Sequence, residues 1–214
     1  MMNSSTIKHE LQNILSGKSG FSHDAVIQAI ANHLRTSQRA SPMAKEKHQN
    51  KSKETASLIA FAQQHQLFYN EIDERNYVAE GAEQKVFIKD NLYVVKLNDA
   101  IYYASWEDYF LNLLLHNYFF SDTQYQFLGF HLKDNILYAA VKQLFVKANE
   151  LTDLVKVKTF LTNNGFENTK NHDYYHPILG IILEDLHDEN VLTNNGILYF
   201  IDTVFYIHPD IFWS

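Results

Sequence analysis

Apolar residues in the first third of the chain recur at intervals of three and four, the spacing of one face of a helix. This spacing predicts one helix ending at Leu15, a second whose buried stripe includes Ile27 and Leu34, and a third over Ser52–His65. Few β-branched or aromatic runs interrupt this region. We therefore predict that residues 1–70 form an α-helical N-terminal extension.

From Tyr77 onward the pattern changes to short apolar runs rich in valine, isoleucine, tyrosine and phenylalanine, which favour strands. The predicted strands are Asn76–Glu80, Gln84–Lys89, Leu92–Leu97, Gln126–Leu132, Ile136–Lys142, Ile178–Leu183, Val191–Leu192 and Ile197–Ile201. Helices are predicted over Trp106–Phe119, capped by Ser105, and over Leu151–Leu161, while His172 and His176 are expected in loops. The fold class is therefore α+β, with a five-stranded sheet, an inserted helix, then a helix and a small hairpin.

Composition narrows the function classes. The 214 residues are 46% hydrophobic, enough for a packed core, and the net charge of −7 gives no reason to expect nucleic-acid binding. Cysteine is absent, which excludes disulfides, zinc–thiolate sites and a cysteine nucleophile. No apolar run reaches the about 18 residues of a membrane span, and the N-terminus lacks a signal-peptide core. We expect a cytoplasmic protein without a membrane partner.

Three polar residues surround the last predicted hairpin. Asp185 and Asn190 have the D-x-x-x-x-N spacing of a phosphotransferase catalytic loop, and Asp202 ends the following apolar strand. In that role Asp185 is the catalytic base, and the oxygens of Asn190 and Asp202 are ligands for Mg²⁺. The alternative is a chance hairpin with acidic turn residues, which the paired spacings make less favourable.

Earlier residues supply the other parts that phosphoryl transfer needs, in the expected order. Gly81 and Ala82 lie between two predicted strands, where backbone amides can approach phosphate, although a plain hairpin turn is the alternative. Lys96 is flanked by apolar strand residues, so its ammonium needs an anion such as a nucleotide phosphate unless the strand face is exposed. Glu107 is a candidate partner for Lys96, or simply a favourable acid at a helix N-terminus.

Together these segments resemble the small serine/threonine/tyrosine-kinase-like domain found in polyvalent proteins of phages and conjugative elements. The resemblance rests on the segments Glu80–Val86, Val94–Lys96, Leu128–Phe130, Asp185–Leu192 and Tyr199–Asp202, with Gln143 at the hinge position. It implies a minimal bilobal protein-kinase-like fold over residues 71–214, with an antiparallel N-lobe sheet and a much reduced C-lobe. It also implies ATP and Mg²⁺ as cofactors, with Gly81, Ala82, Lys96, Gln143 and Glu107 at the nucleotide. Proteins of the host or of the mobile element are the implied substrates.

Departures from the family pattern keep other functions open. Only twelve residues follow Asp202, so we expect no activation segment and no peptide-binding helices after it, and a partner chain is one way to complete the substrate site. A degenerate, pseudokinase-type nucleotide-binding or protein-interaction module without transfer activity is the first alternative. The loop Asp185-Leu186-His187 also resembles the D-L-H-x-x-N loop of aminoglycoside and choline kinases, which keeps a small-molecule acceptor open.

Overall fold

The computed structural model describes residues 4–18, 24–39, 47–80 and 84–214. Its helices are α1 (Ser4–Leu15), α2 (Ala25–Arg39), α3 (Lys47–His65), α4 (Trp106–Phe119), α5 (Leu154–Asn163) and α6 (Pro209–Phe212). Its strands are β1 (Tyr77–Glu80), β2 (Gln84–Ile88), β3 (Tyr93–Asn98), β4 (Gln126–Lys133), β5 (Ile136–Leu144), β6 (Glu167–Lys170), β7 (Asp173–His176), β8 (Ile181–Glu184), β9 (Val191–Asn194), β10 (Ile197–Phe200) and β11 (Val204–Ile207). No helix within the described ranges is long and apolar enough to span a membrane.

The fold is α+β with antiparallel sheets, as the sequence predicts. The chain divides into two compact units. The five-stranded unit comprises Gly20–Leu114 and Tyr125–Phe145, and the hairpin unit comprises Met1–Ser19, Leu115–Gln124 and Val146–Ser214. The predicted bilobal arrangement and the predicted boundary at residue 70 stay predictions.

The sheet of the five-stranded unit has the order β1-β2-β3-β5-β4, and every neighbouring pair is antiparallel. Its predicted strands are confirmed to within two residues at each end. On one face, a buried apolar cluster is formed by Phe87, Val95, Leu97, Tyr138 and Ala140. Because side chains alternate across a strand, the residues between them on β3 and β5 lie on the opposite face.

Helix α4 covers that opposite face. Its Phe110 ring lies 5.7 Å from the ring of Phe127 and 6.0 Å from that of Phe130, both edge to face, and Trp106 is fully buried beside them. The predicted cap is confirmed, because the backbone N–H of Asp108 donates to Ser105 Oγ at 3.0 Å and that hydroxyl donates to Asp108 Oδ2 at 2.8 Å. The helix therefore begins at Trp106, as predicted.

A short extended segment covers the outer edge of β4. The backbone N–H of Tyr69 donates to the Phe130 carbonyl and the N–H of Phe130 donates to the Leu67 carbonyl, each at 2.7 Å. Gly129, with φ +146°, makes this approach feasible, since a Cβ on it would lie 2.6 Å from the Leu67 oxygen. This covering protects backbone groups that an edge strand would otherwise expose.

The hairpin unit contains more strands than the sequence predicts. Besides the predicted hairpin of β9 and β10, it has a four-stranded sheet of order β11-β8-β7-β6. The prediction that His176 lies in a loop is wrong: it belongs to β7 and is buried, with its ring 5.1 Å from that of Phe166. Gly165 leaves room for it, because a Cβ there would lie 2.7 Å from His176 Nε2. His172 lies in the turn before β7.

Candidate active site

The loop between β8 and β9 begins at Asp185, whose backbone has the left-handed φ of +65°. Two hydrogen bonds hold this conformation, which is uncommon outside glycine. The N–H of Asp185 donates to Asp173 Oδ1 at 3.2 Å, and the N–H of Leu186 donates to the His172 carbonyl at 3.2 Å. The neighbouring strand β7 and the turn before it therefore fix the direction in which the loop leaves β8.

Asn190 closes the loop onto Asp185. Its Nδ2 donates to the Asp185 carbonyl at 2.8 Å and to Asp185 Oδ2 at 2.9 Å. His187 lies beside the same carboxylate, with Nε2 at 3.3 Å from Asp185 Oδ1. The side chain of Asp185 is nevertheless 54% exposed, so the carboxylate is oriented by its neighbours while it remains accessible to a reactant. His187 therefore braces the loop beside Asp185.

Asp202 is tied to the same loop through the backbone. The carbonyl of Asn190 accepts hydrogen bonds from the N–H of Ile201 at 2.9 Å and from the N–H of Asp202 at 3.4 Å. Strands β9 and β10 pair in register from Val191 and Phe200 to the hairpin turn, which brings the residues before and after them together. The spacing of Asp185, Asn190 and Asp202 in the sequence thus becomes one local cluster within the hairpin unit.

Negative charge accumulates around this loop. Burial, and then the neighbouring carboxylates of Asp173 and Asp185, raise the pKa of Glu184 above its ordinary value. A carboxylate whose neighbours disfavour its charge is stabilised by a cation brought to the same place. Carboxylates are therefore concentrated where the loop leaves β8.

Lys96 and Gln143 lie on adjacent strands of the five-stranded unit. Lys96 pairs with Val141 and Val94 pairs with Gln143, so both polar side chains lie on the face of the sheet that α4 covers. Lys96 is 3% exposed, and its Nζ lies 5.8 Å from the centre of the Tyr125 ring. The alternative that Lys96 lies on an exposed strand face is wrong.

A family model described as the serine/threonine/tyrosine kinase found in polyvalent proteins matches residues 51–209. The chain belongs to this family. The resemblance noted in its motifs is thereby confirmed. No curated protein and no solved structure matches the chain.

The kinase-family match begins at Lys51, inside α3, so the matched region includes a helix that the sequence assigns to the N-terminal extension. Two residues of α3 hold the start of α4. Glu54 Oε2 accepts from the N–H of Trp106 at 2.8 Å, and Lys51 Nζ donates to the carbonyls of Ala100 and Tyr103, the latter at 3.0 Å. Burial lowers the pKa of Lys51, and the Asp99 and Glu54 carboxylates act in the opposite direction. This anchoring was not predicted, because no spacing in the sequence connects α3 with α4.

The remaining predicted site residues are placed as follows. Glu107 forms an ion pair with Arg35 of α2, with Oε1 at 3.0 Å from Nε. Its predicted contact with Lys96 and the nucleotide stays a prediction. Gly81 and Ala82 lie outside the described residues, in the sequence between Glu80 of β1 and Gln84 of β2.

Sequence reasoning missed two residues that the structure brings to the loop region. Asp173 accepts the hydrogen bond that holds Asp185, and Thr203, next to Asp202, is buried against a histidine of α4. Neither carries a motif of its own, since each depends on a partner far away in the sequence. In the described part of the chain, no group of three or more His, Cys, Asp or Glu side chains is arranged to hold a metal ion.

Proposed function

We propose that the protein is an ATP- and Mg²⁺-dependent phosphotransferase that acts on a hydroxyl group. The observation that carries the proposal is the pair of hydrogen bonds from Asn190 Nδ2 to the carbonyl and carboxylate of Asp185. In phosphoryl transfer the protein contributes mainly positioning and charge stabilisation. A carboxylate that is oriented by its neighbours and still accessible is suited to receive the proton of an attacking hydroxyl.

In this mechanism the acceptor hydroxyl gives its proton to Asp185 while its oxygen forms a bond to the γ-phosphorus of ATP. The bond between that phosphorus and the bridging oxygen breaks, and ADP leaves. Lys96 would contact the phosphate oxygens, and the backbone amides of Gly81 and Ala82 would lie above them. Gln143 and Glu107 are proposed to line the nucleotide site.

Asn190 and Asp202 fit the proposed Mg²⁺ site by their chemistry. Mg²⁺ is usually bound by one or two protein oxygen ligands together with substrate phosphates and water. Asn190 uses its amide nitrogen for Asp185, which leaves the amide oxygen as the atom suited to a metal ion. Mg²⁺, when bound, supplies positive charge that offsets the charge of the phosphates.

Transfer of radiolabelled phosphate from ATP, together with ATP-dependent thermal stabilisation, tests the proposal. Asp185→Asn should keep nucleotide binding and lower transfer by about 100-fold or more, since it removes the proton acceptor. Lys96→Ala and Asp202→Ala should lose transfer as well. Lys142→Ala, which removes another lysine of the same sheet, is the matched control. Full transfer in Asp202→Ala would contradict the assigned site.

The same assay separates the alternatives. A pseudokinase-type module predicts stabilisation by ATP without transfer to any acceptor. The contact between His187 and Asp185 belongs to the D-L-H form of the loop, which favours testing small-molecule acceptors alongside proteins. ADP release measured with a mixed protein substrate, with the protein alone, and with an aminoglycoside or choline identifies the acceptor class.

A further inference from the structure

Thr203 follows the proposed metal ligand Asp202 and is almost fully buried. Its Oγ1 lies 2.7 Å from Nδ1 of His116, a fully buried residue near the C-terminal end of α4. The two residues are 87 positions apart in the chain and lie in the same compact unit. A side chain of α4 therefore contacts the residue directly after a proposed metal ligand.

The direction of this hydrogen bond follows from the other side of the imidazole ring. His116 Nε2 lies 3.0 Å from the carbonyl oxygen of Thr123, which can only accept. Nε2 must then carry the proton, so in the neutral ring Nδ1 is the acceptor and the Thr203 hydroxyl is the donor. The ring thus connects the carbonyl of Thr123 with the hydroxyl of Thr203.

Thr123 also holds Phe200, two residues before Asp202. Its hydroxyl donates to the carbonyl of Phe200, and the Phe200 ring is stacked on that of Phe120 with centroids 4.1 Å apart. The backbone N–H groups of Ile201 and Asp202 donate to the Asn190 carbonyl. Every residue from 200 to 203 thus takes part in at least one hydrogen bond. The backbone on both sides of Asp202 is therefore fixed.

We propose that His116 and Thr203 are positioning residues that fix the backbone at Asp202 and so place its carboxylate where it binds Mg²⁺ with the nucleotide. This inference rests on the proposed function, since it takes Asp202 as a metal ligand. Mutation of residues that position a metal ligand typically lowers metal affinity by about 10–100-fold, because a ligand on a mobile backbone must be ordered when the metal binds.

Two matched pairs of substitutions separate the hydrogen bond from side-chain volume. Thr203→Val removes the hydroxyl at similar volume, whereas Thr203→Ser keeps it. His116→Asn places an amide where Nδ1 lies and keeps a partner for Thr203, whereas His116→Gln places its amide where Nε2 lies and keeps only the contact with Thr123. Thr193→Val is the control, because Thr193 is equally buried at 3% and its hydroxyl lies 2.9 Å from that of Thr152.

Calorimetric titration of ATP at a series of Mg²⁺ concentrations tests the inference on the full chain. In Thr203→Val and His116→Gln the Mg²⁺ concentration for half-maximal ATP binding should rise by about 10–100-fold, with metal-free ATP affinity unchanged. Thr203→Ser, His116→Asn and Thr193→Val should keep the wild-type value. A purely structural role would lower the thermal stability of Thr203→Val and Thr193→Val alike without changing this value.

The outcomes distinguish the two proposals. Unchanged Mg²⁺ dependence in Thr203→Val, in a wild-type protein that binds Mg²⁺ and ATP together, overturns the positioning role alone. The expected shifts in a wild-type protein that transfers no phosphate support the positioning role and overturn the phosphotransferase activity. ATP binding that is independent of Mg²⁺ in the wild type overturns both this inference and the assignment of Asp202.

Discussion

Replacing Glu54 by alanine removes the carboxylate that binds the first backbone N–H of α4. Glu54 is only 3% exposed, and its Oε2 accepts from the N–H of Trp106 at 2.8 Å. The first N–H groups of a helix have no partner within the helix. In Glu54→Ala the N–H of Trp106 therefore loses the carboxylate that accepts its hydrogen bond. The same carboxylate also attracts the ammonium of Lys51, which binds the loop before α4.

The magnitude follows from the charge of the acceptor. A hydrogen bond to a charged group contributes about 1.5–3 kcal/mol, and a buried donor left unsatisfied costs about 1–3 kcal/mol. The two energies describe the same lost hydrogen bond and are not added together. We therefore expect Glu54→Ala to lower the free energy of unfolding by about 2–3 kcal/mol. Glu54→Gln keeps an oxygen acceptor of similar size without the charge, so its loss should be about 1 kcal/mol.

Urea unfolding of the two variants measures these differences. Lys53→Ala, an exposed substitution on the same helix, is the control for helix propensity and should stay within about 0.5 kcal/mol of the wild type. Glu54→Ala should unfold at a lower urea concentration, with Glu54→Gln between it and the wild type. If Glu54→Ala matched Lys53→Ala, the hydrogen bond from Trp106 to Glu54 would not stabilise the start of α4.

Two further predictions concern backbone conformation and pH. Gly129→Ala should lower the free energy of unfolding by about 2 kcal/mol or more, because its φ is positive and the new Cβ would meet the Leu67 carbonyl; an unchanged urea midpoint would contradict this. Burial and then the neighbouring Glu10 raise the pKa of Tyr118 from 10.0 to about 12. The stability that Tyr118 contributes should be complete below pH 10 and lost as pH rises through about 12, and Tyr118→Phe should remove that part of the pH dependence. Ultraviolet titration of tyrosinate checks the shift, and ionisation of all tyrosines near their ordinary pKa would rule it out.

Local patterns were sufficient to predict the five-stranded sheet. Its strands are short alternating apolar runs, and the turn between β4 and β5 contains Asp134 and Asn135 at positive φ of 51° and 62°, residues that tolerate this conformation. Helix α4 was predicted together with its cap for a similar reason, since Ser105 and Asp108 satisfy each other within one turn. Such signals act over a few residues and can therefore be read from the sequence.

One of the missed strands, β6, lacks any local signal. Every residue of β6 is exposed, and the strand shows no alternation of apolar and polar residues. Only its pairing with β7 makes it a strand. His176 gave no indication of burial either, because the space for its ring comes from Gly165 on another segment. Strand formation of this kind depends on the partner more than on the residue itself.

For the candidate site, the residue types and their spacing can be read directly from the chain: an aspartate and an asparagine at the spacing of a catalytic loop, and a second aspartate after the next strand. Tertiary structure alone decided how they are held. The hydrogen bond from the N–H of Asp185 to Asp173 joins residues 12 positions apart, and that between His116 and Thr203 joins residues 87 positions apart. Such partners meet only when β7 and α4 pack against the loop, because hydrogen bonds are directional and form only at short range.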